Sequence, residues 1–206
     1  WEGHKYTKKE ARAVSGIETV KWLSEMEAVL REMMAYAHNI YLNTNEYPRY
    51  SNEVPYRDVR FGETLKKSYP NHHYERAAPI IYQLRMAKSD IEVGLIQKAV
   101  NITAKAFDRV LGFVKPGVSE FEVEAEMSHE FILNRASGHA YPPIVASRKN
   151  GCVLHYISNN EICKDGDLML MDFGAEYANY AADLSRTIPV NGKFTRRQRK
   201  VYDAVL

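Results

Sequence analysis

Between Ile17 and Tyr41 the apolar residues Val20, Leu23, Met26, Leu30, Met33, Ala37 and Ile40 return every three or four positions, which predicts one long amphipathic helix. From Tyr47 to Tyr74 the pattern weakens into Tyr, Pro, Asn and Arg, the composition of loops around a short helix at Phe61 to Ser68. Pro79 to Leu84 reads as a short strand. Ser89-Asp-Ile-Glu92 has the form of a capping box and opens a helix with Ile91, Leu95, Ile96, Ala99, Thr103, Ala106 and Val110 at helical spacing. Lys115-Pro116-Gly117 stops it. Ser119-Glu-Phe-Glu122 starts the next helix, with Phe121, Ala125, His129 and Ile132 along one face and an end near Ser137-Gly138. Beyond Gly138 the period shifts toward two, at Ile144–Ala146, Cys152–Tyr156, Leu168–Glu176 and Asn179–Val190. Lys149-Asn150-Gly151, Asn159-Asn160 and Lys164-Asp-Gly-Asp167 supply the turns, so antiparallel sheet is expected there.

This order divides the chain into an α/β part at residues 1–83 and an α+β part at residues 84–206. With 206 residues, 45% of them hydrophobic, there is enough material for a substantial core. The 28 basic and 26 acidic residues are too balanced to point to nucleic acid or a membrane surface, and His4, Lys5, Lys8, Lys9 and Arg12 read as a solvated face. No apolar run approaches the ~20 residues of a membrane span. Cys152 and Cys163 lack the spacing of a zinc or redox site, so both are expected as reduced structural cysteines. A cytoplasmic location is expected. The start at Trp1, with neither Met nor signal pattern, and a last helix opened by the box Thr195-Arg-Arg-Gln198 but left without a cap suggest a fragment.

The candidate chemistry lies in the hairpin MDFGAEYANYAADLSRT. Pairing Leu168–Glu176 with Asn179–Pro189 around a tight Tyr177-Ala178 turn sets Asp172 directly opposite Asp183 on one face. Like charges so placed repel, and a cation is the simplest neutraliser. Two divalent ions about 3.5–4 Å apart would suit the pair. Gly174, on the same face, leaves room for an ion or a substrate backbone. A solvated hairpin face, or an Asp183–Arg186 salt bridge, is the competing reading. Other candidates are weaker: Met26 and Met33 read as core filler, His72 and His73 point apart, His129 reads as a helix-surface histidine, and His155 alone is an isolated strand histidine.

The stretches LRMAKSDIE (84–92), NGCVLHY (150–156) and DGDLMLMDFGAEYANYAADLSRTIPVNGKFTRRQRKVYDAVL (165–206) closely resemble the Xaa-Pro aminopeptidases, also called aminopeptidase P. Both aspartates, their spacing, the Ser-Arg-Thr after Asp183 and the Gly-Lys-Phe-Thr before the last helix occur in order. The resemblance implies the first half of a pita-bread catalytic domain, preceded by the later part of an amino-terminal domain of the creatinase type. It implies two divalent ions, usually manganese, held by two Asp, one His and two Glu, with Asp172 and Asp183 in the Asp positions. His155 matches the histidine that contacts substrate and helps stabilise the tetrahedral intermediate. The family's His and two Glu ligands follow the Gly-Lys-Phe-Thr motif at a distance, so this chain alone is expected to lack activity. The resemblance further implies a peptide substrate with Xaa-Pro at its start, and a homo-oligomer as the intact protein. Asn179 and Ala182 stand where relatives often have Gly or another small residue. Ser185-Arg186-Thr187 favours aminopeptidases over prolidases, which remain an alternative alongside a non-catalytic pita-bread binding protein.

Overall fold

The structure is a computed structural model that describes residues 3–46 and 53–206; Trp1 and the loop expected at 47–52 lie outside the described residues. The chain divides into two compact units, Trp1–Ala87 and Lys88–Leu206.

In the first unit, helices α1 (Lys8–Ser15), α2 (Met26–Tyr36), α3 (Arg57–Ser68) and α4 (Ala78–Met86) accompany strands β1 (Asn39–Leu42) and β2 (His73–Arg76). The two strands run parallel, with Asn39 beside His73 and Leu42 beside Arg76. The expected long helix from Ile17 is shorter than its apolar stripe. A 3-10 turn at Leu23–Glu25 precedes α2, and Ala37 is already extended because the chain there enters β1, where Ile40 and Tyr41 suit a pleated strand. Only Met34 of α2 is buried, while Met26 and Met33 are exposed. Pro79 lies in the first turn of α4, where its missing N–H costs no helical hydrogen bond, so the strand expected over Pro79–Leu84 is a helix instead. His72 and His73 do not converge: the His72 ring donates through Nε2 to the Met34 carbonyl at 2.8 Å, and His73 is exposed. At the N-terminal end a capping box between Thr7 and Glu10 opens α1, which carries Lys8, Lys9 and Arg12 of the expected basic face, while His4 and Lys5 precede it.

The second unit opens with α5 (Asp90–Phe113) and α6 (Glu120–Leu133), followed by β3 (Gly138–His139), β4 (Ile144–Ser147), β5 (Leu168–Phe173), β6 (Ala175–Tyr177), β7 (Tyr180–Ala181), β8 (Leu184–Pro189) and α7 (Arg196–Val205). The boxes at Ser89 and Thr195 cap α5 and α7, and Glu122 accepts the Ser119 N–H at the start of α6. Strand β5 lies between β4 and β8, antiparallel to both, and β6 lies between β3 and β7. Alternation along β5 sends Met169, Met171 and Phe173 into a core shared with Ile102, Ala106 and Val110 of α5 and Val123, Met127 and Phe131 of α6. Complete burial of a side chain the size of Phe131 or Met171 contributes about 1.5–3 kcal/mol. A buried hydrogen bond from the Ala175 N–H to Thr103 Oγ1 (2.9 Å) ties β6 to α5.

The core-facing stripe of α6 is not the expected one. Phe121 and Ile132 are exposed, as is His129, whereas Glu120, Val123, Met127 and Phe131 face inward. The charge at Glu120 hides this stripe in the sequence. Its carboxylate is fully buried and accepts from the Ser147 N–H (2.6 Å) and hydroxyl (2.7 Å), the Tyr156 hydroxyl (2.7 Å) and the Glu161 N–H (3.0 Å). Burial pushes its pKa up, but these donors outweigh burial and hold it below the ordinary glutamate value. A carboxylate lowered in the folded state adds stability that is complete at pH 7 and is lost as pH falls below the unfolded value, about 4.3, and through the folded one. Glu120→Gln is therefore expected to cost about 1–3 kcal/mol at pH 7 and to flatten the loss of stability between pH 5 and 3. Chemical unfolding at several pH values checks this; an equally steep acid profile in the variant would refute it.

Candidate metal centre

Asp172 stands near the end of β5 and Asp183 in the short break between β7 and β8. The register differs from the expected one. Asp172 pairs with Ser185 and Phe173 with Leu184, because the turn is centred on Ala178 and Asn179, both of positive φ, with Tyr177 paired to Tyr180. Moving the turn by one residue moves each partner by two, so both carboxylates keep a common face but stand diagonally instead of directly opposed. Asp172 is half-buried and Asp183 is exposed. Arg186 donates to the Ser185 carbonyl (2.7 Å), and no ion pair joins it to Asp183 among the described residues.

Gly174 does not serve as an open space. A Cβ there would lie 1.8 Å from the Ala182 carbonyl oxygen and 2.5 Å from its carbon. The missing side chain is what lets the two strands cross closely between the aspartates.

What joins the carboxylates is a residue that sequence reasoning missed. The Tyr141 hydroxyl lies 2.7 Å from Asp172 Oδ1 and 2.9 Å from Asp183 Oδ1. It sits in the turn between β3 and β4, just before Pro142-Pro143, and β4 sets Ile144 beside Asp172. Burial first, then hydrogen bonding to the two aspartates and their charge, raises the Tyr141 pKa far above the phenol range, so it stays a donor. A phenol has one proton, however, so the two carboxyl groups keep oxygen atoms that Tyr141 does not serve. Such oxygens are the donor set that hard divalent cations take. The residues present therefore fit part of a metal site. They do not complete one: among the described residues no three His, Cys, Asp or Glu side chains gather as a metal cage.

His155 is not on a strand. Its segment forms a 3-10 turn at Arg148–Cys152 followed by an irregular turn, and its ring is exposed. The expected strand Cys152–Tyr156 fails because the chain folds back here and is held by side chains instead of a ladder. Cys152 is exposed, Cys163 is buried, and both are free thiols. No helix among the described residues is long and apolar enough to cross a membrane.

The second unit is thus a sheet with two helices on one face and two carboxylates on the other, an α+β layer of the pita-bread type. Residues 94–206 match metallopeptidase family M24, and the chain belongs to that family. It is 35% identical to the Xaa-Pro aminopeptidase of Escherichia coli over 100% of this chain and 47% of the relative, and 32% identical to human Xaa-Pro aminopeptidase 3 over 100% and 40%. Among solved structures, a substrate complex of Escherichia coli aminopeptidase P superposes with a TM-score of 0.84 at 34% identity, and Yersinia pestis proline aminopeptidase P II with 0.83 at 32%. Each is covered for 47% of its length and covers all of this chain. The chain thus spans about half the length of the relatives it matches.

Replacing Tyr141 by Phe removes the one proton shared by the two carboxylates. In the full-length protein Tyr141→Phe is expected to weaken divalent-cation binding about 10–100-fold, the usual cost of losing a group that orients ligands. Calorimetric titration with manganese reads this directly, and unchanged affinity would refute the orienting role.

Proposed function

We propose that the full-length protein is a dinuclear metal-dependent aminopeptidase, with manganese as its metal, that releases the N-terminal residue from peptides with proline in second position. The observation that carries this reading is the pair Asp172 and Asp183 drawn onto one phenol, in a chain whose relatives are named Xaa-Pro aminopeptidases. Asp172 and Asp183 are two of five ligands, the others being one His and two Glu. When bound, the ions supply acidified water at neutral pH and polarise the scissile carbonyl. Asp172 and Asp183 hold the charge balance of the site, and Tyr141 fixes their oxygens. His155 contacts the substrate and donates an N–H to the carbonyl oxygen as negative charge develops there. Water adds across the peptide bond: its oxygen joins the carbonyl carbon, the carbon–nitrogen bond breaks, and the proline nitrogen leaves with a proton.

In the same reading, residues 1–83 are the later part of an amino-terminal domain and residues 84–206 the first half of the catalytic one. The intact protein acts in the cytoplasm as a homo-oligomer on peptide substrates.

Ala substitution at Asp172 or Asp183 is expected to lower turnover of an Xaa-Pro tripeptide by more than the ~100-fold typical of losing an orienting partner. The 206-residue chain alone should show no turnover. Steady-state assays with manganese, comparing a tripeptide with an Xaa-Pro dipeptide, check both points. Retained activity in the double alanine variant would refute the ligand assignment, and cleavage of the dipeptide alone would make the enzyme a prolidase.

A further inference from the structure

We propose that Glu120 and Tyr156 are positioning residues for His155, acting through the loop 148–160 that carries it; the proposal rests on the role given to His155 above. That loop has no sheet pairing of its own, and His155 is exposed near its middle. A segment of this kind would ordinarily sample many conformations, because fixing each residue costs about 1–2 kcal/mol of conformational entropy. Here both ends of the loop return to one carboxylate. Glu120 Oε1 takes the Ser147 N–H and hydroxyl, where β4 ends. Glu120 Oε2 takes the Glu161 N–H, where the loop closes, and the hydroxyl of Tyr156, the residue next to His155.

Three features make this an anchor instead of a surface contact. Glu120 is 0% exposed, so an unmade bond cannot be replaced by water. It is the first residue of α6, where the helix dipole favours a negative charge. The loop has a second pin as well: buried Asn159 accepts the Val145 N–H (3.0 Å) and donates to the Pro143 carbonyl (2.9 Å) and to Glu124 (2.8 Å). The Asn159 bonds and the three bonds from Ser147 and Glu161 to Glu120 fix the loop's base. Among the described residues the Tyr156 hydroxyl, which also meets Asn160 Oδ1 at 3.2 Å, ties the stretch next to His155 to the helix layer.

A donor to a developing oxyanion must be placed closely, since a misplacement of about 1 Å can cost on the order of 100-fold in rate. Loss of the Tyr156 tether should therefore be felt through His155 and nowhere else. The test uses the full-length, manganese-loaded protein as wild type, Tyr156→Phe, His155→Ala and the double variant, assayed on an Xaa-Pro tripeptide. Tyr156→Phe is expected to lower kcat/KM about 10-fold in the wild-type background and less than about 2-fold once His155 is gone, a non-additivity that general destabilisation does not produce. An equal factor in both backgrounds, or no loss at all, overturns the proposal.

Amide hydrogen exchange followed by mass spectrometry reads the tether without turnover. Exchange across 148–160 should be several-fold faster in Tyr156→Phe, with α5 and α6 unchanged. Unchanged exchange overturns the tether whatever the activity. An inactive wild type, or full activity in His155→Ala, overturns the functional reading of His155 and with it the positioning role, while the exchange result still decides whether the tether exists.

Discussion

The pairing of β5 between β4 and β8 is the constraint on which the rest of the second unit depends. Its period of two divides Met169, Met171 and Phe173 from Leu168, Leu170 and Asp172. The first set fills the space over α5 and α6, and the second is thereby committed to the opposite face. A slip of one residue would exchange Leu168, Leu170 and Asp172 for Met169, Met171 and Phe173 in the helix layer, and burying an aspartate there without partners would cost several kcal/mol. The position of the Asp172 carboxylate is thus set by packing on the helix-bearing side of the sheet. Gly174 then lets the partner strand come close enough for Asp183 to join Asp172 at one hydroxyl.

The second organising element works differently, because it is a charge in an apolar core. Removing a carboxylate from water is costly, and Glu120 offsets that cost with four donors from three segments. Apolar packing at this place would stabilise as well, yet it would not fix which backbone groups meet. The arrangement specifies geometry at the junction of α6, β4 and the loop that bears His155, and it is fully satisfied, the condition under which a buried polar network rigidifies its surroundings.

Much of this was legible where local signals are strong. The boxes at Ser89 and Thr195 and the Pro116-Gly117 stop mark helix ends by a chemistry that neighbouring residues complete among themselves. Alternation through Leu168–Phe173 revealed β5 for the same reason. The errors have a common cause in non-local contacts. The turn register rests on positive φ at Ala178, a residue that gives no sign of it. The buried stripe of α6 contains a glutamate whose partners lie 27 to 41 positions away in sequence. Tyr141 meets Asp172 and Asp183 at separations of 31 and 42 residues, so nothing around it announces the contact. Pro79 deceived for the opposite reason: its local meaning is double, since the same fixed φ suits a strand edge and a first helical turn.

The two aspartates and His155 also show why the parts of the proposed site differ in how well they are anticipated. Asp172 belongs to a strand, and any argument that places the strand places the carboxylate. His155 belongs to a turn whose conformation is the sum of distant tethers, so its position is decided only after α6, β4 and residue 161 have met. In the proposed reading, Asp172 on its strand and Asp183 beside it hold their carboxylates at a set separation, as a cation site requires. A group that must follow a substrate oxygen through a change of geometry is better placed on a loop, provided the loop is anchored close to it. The buried carboxylate of Glu120 meets that proviso, because it lies in the rigid layer and reaches through Tyr156 to within one residue of the histidine.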